Sequence, residues 1–98
     1  MRFVVSTKLR HLVPPEVSIK LLNAMAPWQK QWGGKIEQVW SFAGIQGGGG
    51  ILNVESLEEL DAVMSSFPLL GISDVEVLPI VDLDDSLKRS LKVLEARV

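Results

Sequence analysis

The order in which strand-like and helix-like segments follow one another constrains the fold of this chain more than any other feature. Residues 2–9 are rich in β-branched and apolar side chains and contain no breaker, which predicts a strand. Pro15 suits the first turn of a helix. Pro27 either kinks this helix or separates a short turn at residues 28–32 from it, and Gly33-Gly34 ends it. The apolar residues of the helix recur at steps of three and four, as one face requires: Val17, Leu21, Met25, Trp28 and Trp32.

Two further strands are predicted in the middle of the chain. Residues 35–42 alternate between polar and apolar side chains, and residues 51–54 form a short apolar run. Residues 43–50 end in four successive glycines and predict a turn or bulged connection, whose lack of side chains would widen a pocket entrance. The alternation places four side chains on one face of the first of these strands: Ile36, Gln38, Trp40 and Phe42.

A second helix and a last strand complete the pattern. Ser56 and Glu59 form a capping box in front of an apolar helical stripe, and Pro68 stops that helix. Residues 73–81 predict a strand in which Pro79 indicates a sheet edge. The order β-α-β-β-α-β predicts an α+β, ferredoxin-like domain with a four-stranded antiparallel sheet and both helices on one face. Nothing in the chain is large enough to cover the other face, so a second copy is expected there.

The tail adds a third helix to a domain that is complete at residue 82. Asp84-Asp85-Ser86 supplies an N-terminal cap and a favourable charge for this helix. Residues 1–82 are therefore expected to form the ferredoxin-like domain, and residues 83–98 a C-terminal helical arm that packs on a neighbouring subunit. The alternative is a helix packed on its own domain. The apolar residues of the tail recur at steps of four, three and four: Leu87, Leu91, Leu94 and Val98.

Composition narrows the functions that such a small domain can have. The 98 residues include no cysteine and one histidine, which excludes disulfides, thiolate chemistry and multi-histidine metal sites. The net charge of −2 argues against nucleic-acid binding. No apolar stretch approaches the roughly 20 residues that span a membrane. A mean hydropathy of +0.25 favours a homo-oligomer, and we expect a cytoplasmic protein without a metal centre.

A series of short motifs makes the sequence recognisable between residues 35 and 77. They are Val39-Trp40, Ala43-Gly44, Ile51-Leu52-Asn53-Val54-Glu55-Ser56, Glu59-Leu60, Phe67-Pro68-Leu69 and Asp74-Val75-Glu76-Val77. In this order and spacing they resemble the muconolactone Δ-isomerase family. The resemblance implies a dimeric α+β barrel, in which the sheets of two copies pair, and a higher homo-oligomer. It also implies a shift of a double bond in an unsaturated lactone without a metal or organic cofactor, which requires an acid–base group and a polar group for the developing enolate.

Three positions depart from the family pattern. Ser41 stands where the family usually carries an arginine, and Ile45-Gln46 stand where it carries a basic or aromatic pair. Gly47-Gly48-Gly49-Gly50 replace bulkier residues. The missing arginine removes the natural partner of a substrate carboxylate, which indicates a substrate other than muconolactone. Gln46 remains a candidate for substrate binding because it stands where the family carries pocket residues.

Three side chains are candidates for the acid–base group. His11 follows the first strand, where a pocket mouth could lie, and histidine is the side chain that titrates nearest to neutral pH. The alternative is a solvated loop histidine. Glu37 and Glu76 lie on predicted strands, where a carboxylate acts as a base when it is buried away from water. Otherwise both carboxylates are solvated or paired with a nearby lysine or arginine.

Aromatic and amide side chains are candidates for substrate binding. Trp28, Trp32 and Trp40 are candidates to hold a flat, apolar or lactone ligand between helix and sheet. Core packing is the commoner use of such rings and is favoured for one or two of them, whereas Trp40, which carries the family resemblance, is expected in the pocket wall. Gln38 and Asn53 lie on predicted strands, and each needs a hydrogen-bond partner. That partner is a ligand carbonyl, the backbone or water in a subunit interface.

Three functions follow from these observations. The first is an isomerase that acts on a small lactone or ring compound by proton transfer, without a cofactor. The second is a cofactor-free monooxygenase or cyclase, because dimeric α+β barrels include such enzymes. The third is a non-catalytic small-ligand-binding or assembly protein. A titratable group buried beside an empty pocket would favour the first, and packed side chains in that space would favour the third.

Overall fold

The computed structural model describes every residue from Met1 to Val98. The elements in chain order are β1 (Arg2–Leu9), α1 (Pro15–Asn23), α2 (Met25–Trp32), β2 (Ile36–Ser41), β3 (Gly47–Asn53), α3 (Leu57–Ser65), β4 (Ser73–Ile80) and α4 (Leu83–Glu95). Short 3₁₀ turns at Gly33–Lys35 and Leu70–Ile72 precede β2 and β4. The strands lie in the order β2-β3-β1-β4, and all neighbours are antiparallel. The prediction of a ferredoxin-like α+β fold with a four-stranded antiparallel sheet is confirmed.

One hydrophobic core lies between the sheet and the helices α2 and α3. In β1, Phe3, Val5 and Thr7 are buried while the residues between them are partly exposed, as the two-residue period of a strand requires. The helices therefore cover one sheet face, and this chain leaves the other face open. The core consists of Phe3, Val5, Trp28, Leu52, Val54, Val63 and Phe67.

The first predicted helix is divided in two. The first part ends at Asn23 and the second begins at Met25, with Ala24 between them at φ −78° and ψ −13°. Pro27 lies in the first turn of α2, where backbone N–H groups have no helical acceptor, so the proline costs no hydrogen bond there. Of the two alternatives for Pro27, the separate second helix is correct, but it starts before the proline.

A β-bulge changes which face the β2 side chains occupy. Ile36 pairs with Leu52, yet Gln38 pairs with Ile51, so Glu37 is the extra residue. Ile36 therefore faces the core with Leu52, whereas Gln38 and the following Trp40 lie on the open face. The prediction that these three residues share one face is wrong, because a bulge shifts the two-residue period by one.

The glycine run is part of a central strand. Gly47–Asn53 forms β3, which pairs with β1 on one side and β2 on the other. The prediction of a turn at residues 43–50 is wrong, since the connection covers only residues 42–46. A Cβ at Gly48 would collide with the backbone oxygen of Trp40, and one at Gly50 would lie 2.6 Å from the Gln38 oxygen. Pairing on both sides thus keeps this segment in a strand despite the low strand propensity of glycine. The same pairing requires glycine, because a Cβ would collide with the backbone of the neighbouring strand.

The start of α3 is capped as predicted, with one difference. The Ser56 hydroxyl accepts a hydrogen bond from the Glu59 backbone N–H at 3.1 Å. The Glu59 carboxylate reaches back one residue further than expected and accepts from the Glu55 N–H at 3.0 Å. The cap fixes the path of the chain from β3 into α3.

The tail forms a helix that extends away from the domain. It is capped by Asp82, whose carboxylate accepts from the Asp85 N–H at 3.2 Å, rather than by residues 84–86. No residue of α4 is buried, and the longest dimension of the molecule is 61 Å. None of the helices has both the length and the apolar character that crossing a membrane demands.

Candidate functional site

A cavity of about 770 Å³ lies between the helices and the covered face of the sheet. Ser18 and Leu22 of α1, Trp28 of α2 and Met64 of α3 form its helical side, and Val5 and Val39 lie on its sheet side. Its 24 lining residues include no aspartate, glutamate, histidine, lysine or arginine. The polar side chains in the wall are Thr7, Ser18, Gln29, Ser41, Gln46 and Ser73.

The glycine run forms one wall of this cavity. All four glycines of residues 47–50 line it, so the wall there is bare backbone. The Thr7 hydroxyl donates to the Gly48 carbonyl at 3.1 Å, and the Ser41 hydroxyl donates to the Gly47 carbonyl at 3.4 Å. These contacts hold the wall against its neighbours, and the widening of a pocket entrance by the glycines stays a prediction.

Trp28 belongs to both the core and the cavity wall. Its indole N–H donates to the Val63 carbonyl at 3.1 Å and to the Ser66 hydroxyl at 3.2 Å. Its ring meets Phe67 edge-on, with centroids 5.1 Å apart. Trp28 is 7% exposed, so it offers a fixed aromatic surface to anything that enters the cavity.

The other two tryptophans have different surroundings. Trp32 does not line the cavity, and its indole N–H donates to the Ser66 hydroxyl at 2.9 Å. Trp40 is among the lining residues, but its indole lies over Gly49, where a Cβ would be 2.8 Å from the Trp40 Nε1. The structure therefore brings two of the three tryptophans to the cavity, and one of these two has its indole on the open sheet face.

The amides on the strands lie away from the cavity. Gln38 and Asn53 are exposed on the open sheet face, and neither lines the cavity. Asn53 finds its hydrogen-bond partner within the chain, because its side-chain amide donates to the Glu37 carboxylate at 3.0 Å. Gln46, in contrast, lines the cavity at its end near β1.

Glu37 is held by an arginine at the sheet surface. Arg2 donates to one of its carboxylate oxygens from two nitrogens, at 2.7 and 3.1 Å. This guanidinium, aided by the Asn53 amide, lowers the pKa of Glu37 below its ordinary value. A lowered pKa weakens a carboxylate as a base, and Glu37 does not line the cavity. Glu76 is also exposed on the open face, where its cross-strand neighbour in β1 is Ser6.

A smaller cavity of about 250 Å³ adjoins the main one. Leu9, Ile45 and Gln46 line both, so the two spaces share a wall at the end of β1. The smaller one also carries a basic set of side chains, and its lysine and arginine were not among the candidates from the sequence: Lys8, Arg10 and His11. The sequence could have indicated Lys8 and Arg10, because both lie close to His11 at the end of the first strand.

The basic side chains of the smaller cavity are exposed and weakly engaged. Arg10 donates to the Asp74 carboxylate and to the Gly71 carbonyl, each at 3.4 Å. The His11 backbone N–H donates to the Ile72 carbonyl at 3.4 Å, which holds the backbone of the loop against the turn before β4. His11 is the one candidate acid–base residue that lines either cavity.

Thr7 shows what sequence reasoning missed in the main cavity. It is 7% exposed and continues the buried face of Phe3 and Val5 by two residues. The strand period was therefore the available signal for it. Gln29 and Ser73 give no comparable signal, because helix packing brings the first to the cavity and the end of β4 the second.

The arrangement favours small, uncharged, largely apolar molecules. Burying a charge without a partner is costly, whereas hydroxyl and amide groups orient a neutral ring. No three acidic or histidine side chains lie close enough together to hold a metal ion. Fold and site together define a ferredoxin-like α+β domain with a largely apolar cavity between its helices and its sheet.

Comparison with known proteins assigns the family. Residues 1–85 match the model of the muconolactone delta-isomerase family. The chain belongs to this family, as the motifs between residues 35 and 77 indicated. No curated protein matches the sequence.

Two solved structures share the fold. Muconolactone isomerase superposes with a TM-score of 0.71 at 24% identity, covering 84% of this chain and 90% of that one. The 5-chloro-2-hydroxyhydroquinone dehydrochlorinase of Burkholderia phenoliruptrix AC1100, in complex with 2,5-dihydroxybenzoquinone, superposes with a TM-score of 0.67 at 18% identity. That match covers 87% of this chain and 98% of the dehydrochlorinase.

Proposed function

We propose that this chain is a cofactor-independent isomerase that shifts a double bond in a small unsaturated lactone or ring compound. The observation that carries this proposal is the position of His11, a side chain able to act as acid and base, in a space that shares a wall with the cavity of about 770 Å³ at the end of β1. Membership of the muconolactone delta-isomerase family supports this class of reaction. The neutral wall favours a substrate whose ring carries no charge.

In the proposed reaction, the ring lies against Trp28 and its carbonyl side faces Gln46. His11 removes a proton from the carbon next to the carbonyl group, and the electron pair moves onto the carbonyl oxygen. The Gln46 amide and the positive charges of Lys8 and Arg10 stabilise the resulting enolate. The protonated His11 then returns the proton at the far end of the conjugated system, which shifts the double bond and regenerates the base.

The active form in this proposal is a homo-oligomer in the cytoplasm. The open sheet face carries a row of side chains across all four strands, namely Gln38, Ile51, Val4 and Leu78. Leu78 is 52% exposed in the single chain. A second copy that covers this row would form the dimeric α+β barrel expected from the family resemblance.

A second candidate function is non-catalytic binding of the same class of ligand. One observation favours it: the main cavity wall contains no titratable side chain. In that case a ring in the cavity would be held by Trp28 and the hydroxyl groups, with no proton transfer. Both candidates predict binding, and only the isomerase predicts exchange of a carbon-bound proton.

The two candidates are separated by one pair of measurements. The probes are an unsaturated five-membered lactone and the dimethyl ether of 2,5-dihydroxybenzoquinone, both uncharged, with binding followed by tryptophan fluorescence and exchange of the lactone's carbon-bound proton followed by NMR in D₂O. The isomerase predicts exchange that falls about 100-fold or more in His11→Asn, with binding little changed. Binding without exchange would favour the non-catalytic function, and no binding of either probe would overturn both.

Variants of the two other candidate bases test the assignment of His11. Glu37→Gln and Glu76→Gln are expected to keep the exchange rate, since neither carboxylate lines the main cavity or the smaller one beside it. Glu58→Gln, an exposed change in the first turn of α3, is the matched control for loss of one carboxylate. If Glu76→Gln abolishes exchange while His11→Asn does not, the base has been assigned to the wrong residue.

A further inference from the structure

The tail helix α4 presents an apolar seam that the rest of the chain does not cover. The seam consists of Leu87, Leu91, Leu94 and Val98, each more than half exposed. A helix of 13 residues is marginally stable alone in water, so a partner on the seam would stabilise it. The seam lies beyond residue 85, where the family match ends. The family therefore does not indicate what covers it.

We propose that α4 pairs with α4 of a second copy in antiparallel orientation. Leu87 then lies against the partner's Val98, and Leu91 against the partner's Leu94; the two-fold axis repeats both contacts. Every apolar position of the seam meets an apolar residue, at the spacing that two helices in a coiled coil use. Backbone hydrogen bonds from Ala96 to Lys92 and from Val98 to Glu95 carry the last turn as far as Val98.

Charges beside the seam select this register. Lys88 and Glu95 are seven residues apart and flank the seam on the same side. In the proposed pairing, Lys88 lies beside the partner's Glu95, and the partner's Lys88 lies beside Glu95. A shift by seven residues would instead bring two Lys88 side chains together and place Leu94 against the partner's Asp84. The proposed register avoids both unfavourable contacts.

Charges along the helix select the antiparallel orientation. Asp84 and Asp85 lie in the first turn of α4, and Lys92 lies in the last turn. A parallel pair would bring the acidic first turns of both helices together and align their dipoles. The antiparallel pair instead keeps the two acidic first turns at opposite ends of the contact and sets the two helix dipoles against each other. The seam is thus complementary to its own copy in one orientation.

This contact is separate from the proposed ligand site and from the open sheet face, so it does not rest on the proposed function. The test reverses one charge at a time in the full chain: Lys88→Glu or Glu95→Lys. Each single variant creates two like-charge contacts and is expected to raise the dissociation constant of the α4 contact about tenfold, measured by sedimentation velocity. The double variant Lys88→Glu/Glu95→Lys restores both ion pairs and is expected to associate like the wild type.

Mixing provides a sharper readout of the same contact. An equimolar mixture of the two single variants again places opposite charges together, so it should associate more strongly than either variant alone. Arg89→Glu, on the side of α4 away from the seam, is the matched control and should change little. All of these residues are exposed, so folding is retained, as circular dichroism can verify. Unchanged association in both single variants, or no recovery in the double variant and the mixture, overturns the proposal.

Discussion

At the scale of single residues, Glu37 shows how its partners decide what a carboxylate can do. Arg2 is the main reason that its pKa is lowered, and the Asn53 amide contributes less. We expect Arg2→Ala to raise the pKa of Glu37 towards its ordinary value, and Asn53→Ala to raise it by a smaller amount. The measurement is an NMR titration of the side-chain carboxyl carbon between about pH 2 and 6.

The sign of the linked stability follows from the direction of this shift. Because the folded-state pKa of Glu37 lies below the unfolded value, the ionised form stabilises the fold above the unfolded pKa. That contribution is lost as the pH falls through the lowered pKa. Glu37→Gln should therefore flatten part of the acid limb of a urea-denaturation series. A steeper acid limb in this variant would contradict the lowered pKa of Glu37.

Ser66 joins two indoles of the helical layer. Its hydroxyl accepts from Trp28 at 3.2 Å and from Trp32 at 2.9 Å, and it donates to a carbonyl of its own helix. Trp28 keeps the Val63 carbonyl as an acceptor when the hydroxyl is removed. We therefore expect Ser66→Ala to lower the free energy of unfolding by about 1 kcal/mol, as for one typical hydrogen bond.

A neighbouring serine provides the control for this prediction. Ser65 is exposed, and its hydroxyl contacts only Asp61, one turn earlier in α3. Ser65→Ala should change the free energy of unfolding by less than about 0.5 kcal/mol, measured by urea denaturation. Equal effects of the two substitutions would show that the indole contacts of Ser66 add no stability.

The candidate site could be predicted from the sequence only in part. Of the candidates that the sequence offers, Trp28, Trp40 and Gln46 line the main cavity, and His11 lines the space beside it. Residue type and position in the predicted helix or strand also point to Trp32, Gln38 and Asn53, yet these three lie outside both cavities. The rotation of α2 about its axis keeps Trp32 out of the cavity, and the bulge at Glu37 turns Gln38 to the open sheet face. The residue pattern predicts neither the rotation nor the bulge.

At the scale of elements, the glycine strand is where local propensity and tertiary pairing disagree. A Cβ at Gly48 would collide with the backbone oxygen of Trp40 in the neighbouring strand. Because the obstacle is backbone, the sheet has to shift, and we expect Gly48→Ala to lower the free energy of unfolding by about 1–3 kcal/mol. Urea denaturation with far-UV circular dichroism measures this loss.

Gly71 is the matched control within the same chain. A Cβ there would meet nothing within 4 Å, and its backbone does not need a positive φ. Gly71→Ala should therefore be neutral or slightly stabilising, because alanine reduces the freedom of the unfolded chain. A loss of stability in Gly71→Ala equal to that in Gly48→Ala would show that the backbone contact in β3 is not the cause.

Other elements form where the sequence predicts them, because the residues that determine them are close together in the chain. The cap at Ser56 and the edge strand with Pro79 depend on residues within one turn or one strand. The glycine strand and the bulge in β2 depend on neighbouring strands that are distant in sequence. The sequence therefore predicted the type and order of elements better than the face and register of each residue.

At the scale of the whole molecule, the fold leaves apolar side chains exposed on two surfaces that this chain does not cover. One is the seam of α4, and the other is the open sheet face with the row from Gln38 to Leu78. If residues 1–82 form the domain and residues 83–98 the arm, as predicted, the open sheet face belongs to the domain and the seam belongs to the arm. Variants on each surface should therefore act independently on assembly.

The open sheet face supplies the last prediction. Leu78 lies beside Val4 in the row, and Leu78→Glu would place a charge on each side of a two-fold contact. We expect this variant to sediment as a smaller species than the wild type at micromolar concentration, while its circular dichroism is unchanged. The physical reason is that the apolar row can be covered only if the new carboxylates lose their water without a partner.

Leu57→Glu is the control for this change, because Leu57 is similarly exposed but lies at the first position of α3, away from the sheet face. A glutamate there suits the first turn of a helix, so folding and association should both be retained. Combining Leu78→Glu with Leu91→Glu on α4 should leave a monomer, whereas each change alone leaves one contact intact. If Leu78→Glu associates as strongly as Leu57→Glu, the open sheet face is not an interface, and the oligomer must be sought along α4 alone.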